Sequence, residues 1–203
     1  MKFWMCAVSI VMLCFWSGCS SDSSKKKPKE ELNSSVTQES NATITTQESN
    51  TTEKKEEKKF DKITLKTTDG QEIIATQHAK GFLFSGYEDK VVLVNFFTTW
   101  CPPCKAEIPH LNNLQEKYKD KLVIISVLLE ENKSNEEVAN FIKYNRINFS
   151  ITNSSENFQF AKSVGGVKNI PLMFLYDKQG NYSTHYLGAV PEEMLDTDIK
   201  KVL

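Results

Sequence analysis

VVLVNFFTTWCPPCKAEIPHL (residues 91–111) changes its period part-way along, and that change decides the fold. Val91 to Phe97 is a nearly continuous apolar run rich in β-branched residues, interrupted only by Asn95, as expected of a strand buried on both faces. After the turn at Trp100-Cys-Pro-Pro-Cys104 the apolar residues Ile108, Leu111, Leu114 and Tyr118 recur at three- and four-residue spacings, which predicts a helix to about Lys119. The strand thus feeds a helix through a Cys-x-x-Cys turn. Taken alone, Cys101 and Cys104 could be a working redox pair, two metal ligands or a structural staple.

The flanking segments place this unit in a larger sheet. On its N-terminal side Ile63 and Leu65 alternate with polar residues, Thr68-Asp-Gly-Gln71 offers a turn and Glu72 to Ala75 resumes, a β-hairpin pattern, with Gly81–Phe84 as a further extended piece. On its C-terminal side Leu122–Leu128 reads as a second buried strand. Ser134-Asn-Glu-Glu137 is a capping segment for a helix through Tyr144, followed by an extended Phe149–Ile151 and a short helix around Phe158–Ser163. Leu172–Tyr176 and Tyr182–Leu187, joined by Asp177-Lys-Gln-Gly180, form a second hairpin, closed by a helix from Pro191 to the end. The order β-α-β-α-β-β-α, with hairpin strands in front, predicts an α/β fold.

The N-terminal part is of another kind. The chain has 203 residues, a formal net charge of −1 and five cysteines, three of them within the first nineteen positions. The near-neutral balance gives no reason to expect a nucleic-acid partner. Residues 1–18 place Lys2 before an apolar run, Phe3 to Trp16, too short for the roughly 20 residues of a membrane-spanning helix, which reads as a signal peptide. The run ends at Ser17-Gly18-Cys19, which resembles the bacterial lipobox, so Cys19 is the expected lipidation site; Trp16 departs from the aliphatic residue usual there. With Cys6 and Cys14 removed and Cys19 lipidated, only Cys101 and Cys104 remain as free thiols. Outside the cytoplasm such a close pair closes into a disulfide unless something reduces it.

Residues 19–59 are rich in Ser, Thr, Asn, Lys and Glu and poor in large apolar side chains, a composition that predicts a disordered tether ahead of a domain over 60–203. Within it TQESNAT (37–43) and TQESNTT (46–52) repeat, and Glu31-Leu-Asn-Ser-Ser35 shares their acid two before Asn and hydroxyl two after. That pattern resembles the extended sequon of bacterial oligosaccharyltransferases. Asn33, Asn41 and Asn50 are therefore glycosylation candidates.

From about residue 60 onward the chain resembles the thioredoxin fold, a central mixed β-sheet flanked by helices, here with an N-terminal β-hairpin. It is most similar in pattern to the extracytoplasmic, membrane-tethered thiol-disulfide oxidoreductases of that family, the TlpA/ResA-like branch. The likeness rests on residues 91–111, on Ile170-Pro171 before the second hairpin and on Gly188 after it. It implies that Cys101 is the nucleophile, its thiolate favoured at the helix N-terminus, and Cys104 the resolving thiol one turn on. Pro102 and Pro103 take away two N–H donors from the Cys101 sulfur, which argues for a reductant. Asn95 stands where cytoplasmic thioredoxin has a buried Asp, and Glu107 matches an acid of the tethered branch that sits beneath the site and could deprotonate Cys104. Pro109 matches a helix-kinking proline. Ile170-Pro171 matches the cis-proline that faces the disulfide, leaving the Ile170 backbone to pair with substrate, while Trp100 would shield the site.

A staple between residues three apart closes too small a loop to stabilise much. A zinc site would need about four ligands, and His78, His110 and His185 show no ligand spacing, so no metal is assigned. A Cu(I)-handling carrier stays open as an alternative, since soft thiolates select Cu(I), and a thiol peroxidase is weakly suggested by Thr98-Thr-Trp-Cys101. The reading is a periplasmic disulfide reductase, lipid-anchored and monomeric, with no cofactor beyond its own redox-active disulfide. Its expected partners are disulfide-bearing exported proteins, with cytochrome c maturation among the roles the resemblance suggests, and a membrane dithiol electron donor.

Overall fold

A computed structural model describes residues 61–203. The signal segment, the tether, the expected lipidation site Cys19 and the glycosylation candidates Asn33, Asn41 and Asn50 lie outside the described residues. The strands are β1 (Lys62–Lys66), β2 (Glu72–His78), β3 (Gly81–Phe84), β4 (Val91–Phe97), β5 (Leu122–Leu128), β6 (Ser150–Thr152), β7 (Leu172–Tyr176) and β8 (Tyr182–Leu187). The helices are α1 (Pro102–Lys117), α2 (Asn135–Asn145), α3 (Glu156–Ser163) and α4 (Glu192–Val202).

β4 and β5 are buried at every position and pair in parallel at the centre of a five-stranded sheet ordered β6-β5-β4-β7-β8. β6 continues the parallel half, and β7 and β8 are antiparallel, so the sheet is mixed. Side-chain alternation divides β4 between two cores. Val92, Val94 and Phe96 face Phe82, Phe84, Phe160 and Tyr176, whereas Val91 and Leu93 face Leu111, Leu114, Leu195 and Ile199 from α1 and α4. This is the thioredoxin fold, an α/β sheet covered on both faces.

The expected N-terminal hairpin is larger than its sequence pattern. Gly81–Phe84 is the third strand of an antiparallel β1-β2-β3 sheet, with Ala75 opposite Phe84. Gly81 also meets the β7–β8 turn, where a Cβ on Gly81 or on Gly180 would run into the carbonyl oxygen of Gly180 or Phe82. Several boundaries differ from the sequence reading by a residue or two. α1 stops at Lys117, with Tyr118 as its C-cap. β6 and α3 stand where the sequence reads an extended Phe149–Ile151 and a short helix around Phe158–Ser163, with β6 one residue later, at Ser150–Thr152, and α3 starting earlier, at Glu156. The capping segment forms in full: Ser134 Oγ accepts the Glu137 N–H at 3.2 Å and Glu137 accepts the Ser134 N–H at 2.9 Å.

Candidate active site

The site forms where β4 passes into α1. Cys101 is the N-cap of α1, with φ −76° and ψ 112°, and its Sγ accepts the Cys104 N–H at 3.2 Å. Pro102 and Pro103 fill the first two helical positions and have no N–H to offer. The sulfur therefore receives a single N–H from the first helical turn. Cys101 and Cys104 form a disulfide with Cα atoms 5.3 Å apart, and each residue is only 3% exposed, packed against Phe97, Leu128, Val138 and Ile151.

Trp100 is 67% exposed, so it is not a core residue. With Leu129, Phe158, Val167 and Ile170 it lines a groove of about 530 Å³, which Lys162 and Lys168 also border. The Ile170–Pro171 bond is cis, and Ile170 packs on the cluster that holds the two cysteines. Among the described residues the backbone of Ile170 has no hydrogen-bond partner. The Pro171 carbonyl is taken by the Gly188 N–H at 2.8 Å, at a φ of +81° that a side chain would resist. A cavity of about 580 Å³ between the Thr67–Asp69 turn and α2 contains no thiol.

Glu107 lies three residues beyond Cys104 on the same face of α1 and is 1% exposed. Its Oε2 accepts the Val190 N–H at 3.1 Å. Burial pushes its carboxyl above the ordinary value of 4.5, while the Val190 N–H and His110 pull it part of the way back. Asn95, on β4, is also buried, donating from Nδ2 to Ser126 Oγ at 3.0 Å, and it cannot titrate. The buried titratable carboxyl of this region thus comes from the helix and not from the strand.

A dithiol at a helix N-terminus beside a buried carboxyl is equipped to exchange disulfides. Residues 55–203 match the redoxin family. The chain belongs to that family. It is 30% identical over 130 residues to the thiol-disulfide oxidoreductase ResA of Bacillus thuringiensis subsp. konkukian, a match that covers 64% of this chain and 73% of that one. Among solved structures, a thiol:disulfide interchange protein of the thioredoxin family from Chlorobium tepidum is 27% identical with a TM-score of 0.54, covering 70% of this chain and 92% of that one. A second from the same organism, described as a putative DsbE, has a TM-score of 0.57 at 23% identity, covering 70% and 93%, and shares the fold. This redoxin is a thiol-disulfide oxidoreductase, and its substrates carry disulfides.

Two residues near the site escaped the sequence reading. Glu130, directly after β5, accepts the Thr99 N–H and lies 3.8 Å from Lys133 Nζ, tying down the turn before the cysteines. His110, which shows no ligand spacing in the sequence, stands beside Glu107. Its spacing of three from Glu107 was the available signal. The histidines go to separate places: His78 bonds the Gly180 carbonyl and His185 stacks on Phe174.

Proposed function

We propose that this redoxin is a periplasmic disulfide reductase, anchored by lipid at Cys19 and held off the membrane by the tether of residues 19–59. The observation that carries the direction of the reaction is the single N–H at Cys101 Sγ. A thiolate poorly solvated by backbone dipoles is high in energy, so the dithiol gives up its electrons readily.

In the working cycle the Cys101 thiolate attacks a substrate disulfide, forming a mixed disulfide and expelling one substrate thiolate. Cys104 loses its proton to Glu107 and attacks Cys101 Sγ. The second substrate thiolate leaves, and the Cys101–Cys104 disulfide closes. Two electrons pass from the pair to the substrate without a further cofactor. The unpaired Ile170 backbone and the groove beside Trp100 suit an extended segment of an exported protein, apocytochrome c among them. Because the processed chain would keep no third thiol, reduction must come from a membrane protein with a dithiol of its own. Asn33, Asn41 and Asn50 are proposed glycan sites on the tether, and the enzyme is proposed to act as a monomer.

The test is the equilibrium reduction potential of the Cys101–Cys104 couple, titrated against dithiothreitol and glutathione buffers with tryptophan fluorescence as reporter. A value near −270 mV, roughly that of thioredoxin, supports the reductase. A value near about −120 mV makes the protein an oxidant and reverses the direction of electron flow.

A further inference from the structure

Glu107 has a second neighbour that the dithiol cycle leaves idle. Among the described residues only its Oε2 is hydrogen-bonded; Oε1 is buried without a partner there, and so is Nδ1 of His110. These two atoms lie 3.8 Å apart. The His110 side chain is nevertheless 40% exposed, so the ring turns one nitrogen inward to the acid while the rest reaches water. Cys104, Glu107 and His110 succeed one another at three-residue steps along one face of α1. On α4 Glu192 is engaged by Asn113 Nδ2 at 2.8 Å, and the β8–α4 loop offers Glu107 only the Val190 N–H. His110 is therefore the ionisable side chain seen to act on the acid.

We propose that His110 is the proton exit of the resolving step, carrying the proton of Cys104 from Glu107 to solvent. This rests on the reading of Glu107 as the base for Cys104. The Cys104 S–H bond breaks and its proton goes to Glu107 Oε1. The Cys104 thiolate then bonds to Cys101 Sγ as the Cys101–substrate S–S bond breaks, and the substrate sulfur leaves with the electron pair. Glu107 passes the proton to His110 Nδ1, and the imidazolium releases one to water. The transfer needs the two side chains to close by about 1 Å, within reach of a rotation of the half-exposed ring. Glu107 is thereby returned to its basic form without water having to enter the core.

The fully reduced full chain carrying Cys6→Ser, Cys14→Ser and Cys19→Ser, so that Cys101 and Cys104 are its thiols, is mixed with excess dithiobis-nitrobenzoate, whose released aryl thiolate is coloured. The first thiolate reports attack by Cys101 and the second reports resolution by Cys104, so the two steps are read in one trace. In His110→Ala the second phase should slow about tenfold relative to the first at neutral pH, a part of what a positioned proton-transfer group contributes. Added imidazole should restore it, and should fail to do so in Glu107→Gln. A second phase at the wild-type rate in His110→Ala, or a slowed one that imidazole leaves unchanged, overturns the relay. If wild type itself releases only one thiolate, the dithiol cycle fails and the relay with it; the two failures are thus told apart.

Discussion

At the scale of single residues the site turns on one acid taken out of water. Glu107 has its carboxyl raised first by desolvation, with the Val190 N–H and His110 acting the other way. Above pH 4.5 the unfolded chain has released this proton while the folded protein still holds it. The protonated acid therefore adds its full stability below 4.5, and that stability is lost as pH rises through the raised folded value. Glu107→Gln removes this titration. In urea unfolding of the oxidised protein, the midpoint of the variant should gain on wild type as pH rises through that window and then run parallel to it. A constant gap at every pH would mean that the carboxyl is solvated. The residue type and its spacing from Cys104 were legible in the sequence; its burial was not, because the walls around it come from the β8–α4 loop, 83 positions away.

At the scale of elements the N-terminus of α1 sets how well the Cys101 thiolate is solvated. Pro103→Ala returns an N–H to the second helical position, beside the one Sγ already accepts from Cys104. The added donor favours the reduced form, and the potential should rise by about 30 mV, a tenfold change in the equilibrium constant for two electrons. Redox titration of the variant against wild type measures this. An unchanged or lower potential would mean that backbone donors do not govern the couple. Elements with strong local signals were readable from sequence: β4 and β5 as apolar runs, and α2 from Ser134 and Glu137, which cap each other. The pairing of β3 with β2 was not, since a short strand exists only through its partner.

At the scale of the molecule the three-stranded sheet and the main sheet share one core. Phe160 of α3 is fully buried and meets Phe82 and Phe84 edge-on, with ring centroids 5.2 and 6.1 Å away, and Phe96 at 5.7 Å. Phe160→Ala should lower the unfolding free energy by about 3–5 kcal/mol, with fluorescence and circular dichroism still changing together in one denaturant transition. If only part of the signal is lost at lower denaturant, the N-terminal sheet is a separate cooperative unit. By itself the sequence determined the chemistry and its address: two thiols at a strand-to-helix junction, two prolines that withhold N–H groups, and a carboxyl three residues on. Those follow from neighbours along the chain, where spacing and residue type suffice. The tertiary structure decided what surrounds them, including the burial of Glu107, the inward turn of His110, the exposure of Trp100 and the hold of Glu130 on Thr99. Desolvation and long-range hydrogen bonds depend on groups far apart in sequence, and only the folded chain brings those together.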